Sequence, residues 1–297
     1  MTPLGALSGD RRPSGTALRR HAVMLAQIGP ALAYYAAFFA VPLAILAAFS
    51  VFERRGFDVV PAFQLDGYIT AITDPLYRNV LAATVAVALV TAVVVVVLAY
   101  PFAYIITFVF PRRRELLLFL VLASLFSGYV VRIYAWRTIL GSEGIVNSVL
   151  LGLGVIQDPI RDLLNSRLAV TITLTNILFP IAILPLYSAM QNIPRDVLDA
   201  AADLGAGRLR VFLTIMFPLT SGGFRAAFAF AFILSAGDYV TPALVGGQSG
   251  IMMGNVIATM FGIALNWPLG AALAMTMIAA VLLVYLVLMG ALRLVTR

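Results

Sequence analysis

Residues 79–114 read NVLAATVAVALVTAVVVVVLAYPFAYIITFVFPRRR, and this stretch decides the fold. From Asn79 to Phe110 there is no charged side chain, and the run is closed by Pro111-Arg112-Arg113-Arg114. That exceeds the ~20 apolar residues an α-helix needs to cross a bilayer core. Outward from it the pattern recurs. Ala22–Phe52 is free of charge, and is about twice the 7–15 residues of a signal-peptide core, so it reads as an uncleaved first span. Leu116–Trp136 holds Arg132 near its far end, Leu168–Ala189 is uninterrupted, and the run from Pro218 to Gly237 is broken only by Arg225. Tyr239–Leu292 is charge-free but too long for one span, and Pro242, Gly246-Gly247, Gly250 and Trp267-Pro268 punctuate it. The last helix is expected at 268–292, and 251–262 as a short helix on or dipping into the membrane surface. The reading is an all-α polytopic membrane protein with six transmembrane helices, at about 24–52, 79–110, 116–136, 168–189, 218–237 and 268–292. Residues 1–21 form a polar tail ahead of the transmembrane domain 22–297.

Composition agrees. Hydrophobic residues make up 62% of the 297-residue chain and charged residues 11%, against about 25% charged in a soluble domain. The chain has no Cys, which excludes disulfides and thiolate metal sites. A single histidine, His21, excludes a multi-histidine metal centre. All 20 cationic side chains are Arg; without Lys there is no Walker-type phosphate loop and no lysine Schiff base. The net charge of +7 does not point to nucleic acid, because the arginines sit in short clusters between apolar runs. Those clusters orient the chain. Arg11, Arg12, Arg19, Arg20, Arg112, Arg113, Arg114, Arg195, Arg208, Arg210, Arg293 and Arg297 fall on one side, and Arg54, Arg55, Arg78, Arg137, Arg161 and Arg167 on the other. The richer side is expected to be cytoplasmic, with both termini and the 190–212 loop.

That loop reads Ile193-Pro194-Arg195-Asp196-Val197-Leu198-Asp199-Ala200-Ala201-Ala202-Asp203-Leu204-Gly205-Ala206-Gly207-Arg208. Pro194 suits the opening of a helix, and Asp196 and Asp199 lie where acids complement the helix dipole. Val197, Ala200, Ala201 and Leu204 share one face at i, i+3, i+4, i+7 spacing, and Gly205 suits the stop. The expectation is a short amphipathic helix with a small-residue face that another surface can approach closely.

The spacing Asp199-Ala200-Ala201, three residues, Gly205, nine residues, Ile215-Met216-Phe217-Pro218 resembles the EAA loop of bacterial binding-protein-dependent ABC importer permeases. Asp199 stands where that pattern has Glu, and Phe217 where it has Leu. The resemblance implies the ABC importer type I permease fold in a bacterial inner membrane. It implies that Asp199, Ala200, Ala201, Gly205, Ile215 and Pro218 couple the chain to an ABC ATPase, which would bind ATP and Mg, with no cofactor in this chain. It also implies a second permease subunit in a heterodimer and a periplasmic solute-binding protein. A narrower resemblance lies in Val131-Arg132-Ile133-Tyr134-Ala135-Trp136 with Gly144 and Asn147, in Gly237-Asp238-Tyr239 through Gly247, and in Asn266-Trp267-Pro268-Leu269-Gly270. These segments are similar to the first permease of spermidine/putrescine importers, a subfamily that also serves iron, phosphonate and opine-like or amino-acid substrates, which implies a polyamine or a related amine or amino-acid-like compound as cargo.

Ionisable groups inside spans usually face a bundle interior or an aqueous path. For a cationic cargo, Asp238 offers charge and Tyr239 and Trp136 offer cation–π contact, with Arg132 nearby. The competing reading makes Asp238 a helix or loop cap, or a structural partner of Arg132, and an arginine in a cation path favours pairing. The Gly246–Gly250 stretch is expected as a flexible outer loop. An alternative function is a secondary transporter or channel, a class that tends to show inverted repeats and broken helices at mid-membrane; neither is evident.

Overall fold

A computed structural model of the protein describes residues 27–56 and 58–295. The polar tail 1–21 and the first residues of the expected first span lie outside the described residues. Residues up to Phe49 form one unit and those from Ser50 another. The first unit contributes α1 (Gln27–Phe49), an apolar helix long enough to cross a membrane.

The second unit opens on an antiparallel hairpin, β1 (Glu53–Arg55) with β2 (Asp58–Val60), where Arg54 faces Val59, followed by α2 (Asp66–Thr73). The run that opened the analysis becomes α3 (Pro75–Tyr104). Its start is set by Asp74, whose carboxylate accepts from the Leu76 N–H at 2.8 Å, and by Pro75 in the first turn, where a missing N–H costs nothing. The start of α7 (Arg167–Gln191) is capped the same way, by Ser166 accepting from the Ala169 N–H at 3.1 Å.

Helices α3, α7 and α9 (Arg208–Gly237) pack against one another as the centre of this unit. Lipid tails are as apolar as leucine, so close packing rather than the hydrophobic effect holds such helices together. The buried faces are accordingly lined with small side chains: Ala88, Ala92 and Ala99 of α3, Ala169 and Ala182 of α7, Ala227 and Ala231 of α9. The helices approach closely at Gly223, where a Cβ would sit 2.5 Å from the Ala189 Cβ and 2.5 Å from the Pro185 carbonyl oxygen. Buried between α3 and α9, Tyr100 and Thr220 are joined by a 2.8 Å hydrogen bond. Thr220 also donates to the Met216 carbonyl at 2.8 Å; having one proton, it accepts from Tyr100. Met216 closes a π-helical turn, Phe212–Met216, and its carbonyl is thereby satisfied.

The span expected at 116–136 is not one straight helix. It is divided into α4 (Arg114–Ala123) and α5 (Tyr129–Leu140), and the longer stretches that contain them, Pro111–Phe126 and Tyr129–Gly152, are bent by 91°. Ser124 donates its hydroxyl to the Val121 carbonyl and Ser127 donates to the Ser124 carbonyl, side-chain bonds that compete with the helical ladder. Ser127 and Gly128 then take extended backbone angles. After α6 (Ile145–Gly152), α7 leads to α8 (Arg195–Asp203) and α9. The stretch after α9 holds α10 (Met253–Gly262), too short to span, and α11 (Trp267–Val295) ends the described chain. The glycine-rich loop between α9 and α10 is pinned rather than free: Arg167 donates to the Ser249 carbonyl at 2.9 Å, and Ser249 to the Asn165 carbonyl at 3.0 Å.

Candidate coupling helix and translocation surface

The loop between α7 and α9 contains the short helix its pattern predicts. The Val197 N–H donates to the Pro194 carbonyl at 3.3 Å, and Asp196 lies in the first turn. Gly205 takes φ of +73°, a left-handed conformation that costs an L-residue with a side chain about 1–2 kcal/mol. Across it the Ala206 N–H reaches back to the Ala201 carbonyl at 3.0 Å, a Schellman-type closure that satisfies one of the carbonyls left open at a helix end.

The helix divides the expected small-residue face. Successive helical residues point ~100° apart, so Ala200 and Ala201 cannot serve one surface equally. Ala201 is 7% exposed and turned into its own chain. Val197, Ala200 and Leu204 form the exposed face, with Leu204 87% exposed; Asp199 and Gly205 are exposed as well. Ile215 and Pro218, half-buried, belong to the foot of α9 rather than to the projecting helix.

At the other end of α9 the four candidate path residues separate. Arg132, Asp238 and Tyr239 line a cavity of about 490 Å³ between α5, α7 and α9. Trp136 lines a different one of about 650 Å³ between α3, α5 and α7. The expected Arg132–Asp238 pair does not form: among the described residues no ion pair joins them, and Arg132 Nε and Nη1 are buried without a hydrogen-bond partner. Asp238 instead caps the turn that follows α9. Its Oδ1 accepts from the Val240 N–H at 2.8 Å and the Thr241 N–H at 3.1 Å. Its Oδ2 accepts from the Thr241 hydroxyl at 2.6 Å and from the Tyr129 hydroxyl. A carboxylate needs such donors where water is scarce, and arginine one turn away is not among them.

Two segments singled out in the sequence hold loops together. Asn147, fully buried, donates to the Gly141 carbonyl at 3.0 Å and accepts from the Ile160 N–H at 2.8 Å. A Cβ on Gly144 would meet the Thr138 carbonyl oxygen at 2.4 Å. Asn266 accepts from the Leu269 N–H at 3.3 Å at the start of α11, and Trp267 meets Phe261 edge-on. Asn255, which the sequence reading passed over, donates to the Tyr239 carbonyl at 2.6 Å and accepts from the Met252 N–H at 3.2 Å, tying α10 to the end of α9.

The spermidine/putrescine transport system permease protein PotB of Haemophilus influenzae is 34% identical to this chain over 250 residues, 83% of this chain and 86% of that protein. PotB of Escherichia coli K12 is 37% identical over 235 residues, 79% of this chain and 85% of that protein. The chain belongs to the spermidine/putrescine-type permeases of ABC importers. As a permease it is a transport subunit, not an enzyme, and both the family and the fold expected from the EAA-like spacing are borne out. The inner membrane ABC transporter permease protein YdcU of Escherichia coli K12 is 27% identical over 275 residues, 88% of this chain. In fold, the permease matches a chain in the crystal structure of a bacterial ABC transporter involved in the import of the acidic polysaccharide alginate. The TM-score is 0.73 over 94% of this chain and 98% of that one, at 14% identity. No family model matches the sequence.

Proposed function

We propose that this permease passes polyamines inward across a bacterial inner membrane, as half of a pathway completed by a second, different permease chain. A periplasmic binding protein delivers the cargo, and ABC ATPase subunits holding ATP and Mg supply the energy. Both termini and α8 lie in the cytoplasm. The cargo class rests on the PotB relatives, whose names give spermidine and putrescine.

The observation that carries the energetic half is α8: a projecting helix with an exposed Val197–Ala200–Leu204 face, closed by a left-handed glycine. Such a face is costly to leave in water and suited to a groove on a partner. A push on α8 has a direct route onward. Two residues separate Gly205 from α9, a 30-residue helix about 45 Å long that runs past the Gly223–Pro185 contact to Asp238 and its bond with Tyr129 of the bent span. In this reading α9 is the rod between the ATPase and the outer end of the path.

The test is uptake of labelled spermidine into proteoliposomes containing the full transporter and its binding protein. Uptake that requires ATP and the ATPase supports the proposal. Uptake by the permease chains alone, driven by an ion gradient, would make the protein a secondary transporter.

A further inference from the structure

The cavity lined by Trp136 contains polar groups that the fold does not use. Asn176 is the tenth residue of α7, about 14 Å from its start and thus well inside a ~30 Å hydrocarbon layer. Its side chain is exposed, and among the described residues no hydrogen bond reaches its amide. Elsewhere in the middle of α3, α7, α9 and α11 the exposed side chains are apolar, such as Val93 and Val97, Leu184, Phe230, and Leu282 and Leu283. Beside it, Thr175 is 9% exposed with its hydroxyl unpartnered. Thr91, Thr173 and Ser235 also carry buried hydroxyls without a partner. Thr84, Thr171 and Thr276 each donate to the carbonyl four residues back, and Thr175 does not. Asn176 is exposed on the groove, and Thr175 lines it with its hydroxyl oxygen buried; the other walls include Phe102, Phe179, Thr171 and Trp136.

An exposed amide without a partner is poorly placed against lipid tails. It suits a ligand that brings donors, and the surrounding rings and methyl groups suit one that also brings methylene. A linear amine has both, spaced along one chain. The groove holds no cation, whereas the neighbouring outer cavity is lined by Arg132, with Nε and Nη1 unpartnered, as well as by Asp238. The groove also holds no carboxylate, so contact is brief, as passage requires sites that release what they bind. We infer that the groove between α3, α5 and α7 is a contact surface for the amine cargo. Asn176 accepts a hydrogen bond from one of its ammonium groups, and Trp136 covers its cationic segments. The inference rests on the polyamine reading above.

The experiment reads labelled spermidine uptake by the reconstituted transporter carrying Asn176→Leu, Asn176→Asp or Asn176→Lys, with ATPase co-purification as the measure of assembly. Asn176→Leu should assemble normally and raise the KM for spermidine roughly tenfold, the effect of losing one hydrogen bond to a charged group. Asn176→Asp should keep or lower the KM, and Asn176→Lys should abolish uptake with assembly intact. This dependence on the sign of the charge is the signature of a cation in the groove. An unchanged KM in Asn176→Leu overturns the inference. So does equal loss of assembly in the aspartate and lysine variants, which would mean the groove is filled by a helix or by lipid. If the unsubstituted transporter takes up no spermidine, the polyamine reading itself falls, a result separable from any effect of Asn176.

Discussion

Tyr129 and Asp238 stand 109 positions apart in the chain, and the phenol of one donates a hydrogen bond to the carboxylate of the other. The bond joins the first turn of α5, just past the 91° bend, to the residue that follows the end of α9. It makes Asp238 a structural cap whose oxygens are occupied.

The cap predicts a pattern of tolerance at position 238. Asp238→Asn keeps an oxygen for the Val240 and Thr241 N–H groups, and the two hydroxyls on the other side can rotate to suit an amide. Uptake should change by less than about threefold, under 1 kcal/mol. Asp238→Ala leaves those N–H groups uncapped and should cost ~1–2 kcal/mol, read as a lower thermal midpoint of the solubilised complex. A tenfold rise in KM for Asp238→Asn, with stability intact, would instead put the carboxylate on the cargo's path.

Two adjacent glycines in α9 should behave oppositely. A Cβ on Gly223 would press on the Pro185 carbonyl and Ala189, whereas Gly222 has nothing within 4 Å. Gly223→Ala should force α7 and α9 apart and reduce the monodisperse yield in detergent, an overpacking cost of ~1–3 kcal/mol. Gly222→Ala should leave the yield unchanged. Equal behaviour of the two would mean that the helices do not meet at this residue.

The left-handed backbone at Gly205 sets a ranking. Gly205→Asn should be nearly silent, since asparagine tolerates positive φ, while Gly205→Val should cost ~1–2 kcal/mol at the end of α8. No atom lies within 4 Å of the would-be Cβ, so the difference reports backbone strain within this chain. Stimulated ATP hydrolysis should fall more for valine than for asparagine, and identical activities would contradict the ranking.

The arginine distribution predicts the orientation. A reporter fused after Arg297 should be active only on the cytoplasmic side. Periplasmic activity would invert the assignment and remove α8 from reach of an ATPase.

Sequence revealed what local chemistry decides. Helix α8 was legible because Pro194, the early acids and Gly205 act within one short segment, and α3 because a run from Asn79 to Phe110 has no other stable form in lipid. The bend before Tyr129 was not, because hydropathy does not weigh Ser124, Ser127 and Gly128, whose side-chain bonds and extended angles break the span. The choice between pairing and capping for Asp238 turned on Tyr129, a contact no local pattern shows. Thr173, Thr175 and Asn176 stand close together in α7, and only the packing tells which is exposed. Ala201 shows the reverse: helical spacing allows it on the outer face, and its own chain covers it.

The central claim is that the exposed face of α8 receives an ATPase. Leu204 tests it most directly, because it is 87% exposed and its replacement leaves the packed interior of the permease untouched. In the purified transporter, Leu204→Glu should place a carboxylate where the partner's groove excludes water, an uncompensated burial costing several kcal/mol. The account predicts a permease that inserts and folds normally but loses ATPase co-purification and cargo-stimulated ATP hydrolysis by tenfold or more, since 1.4 kcal/mol already suffices for tenfold. Co-purification and stimulated hydrolysis equal to those of the unsubstituted protein would contradict it, leaving α8 a simple connector between α7 and α9.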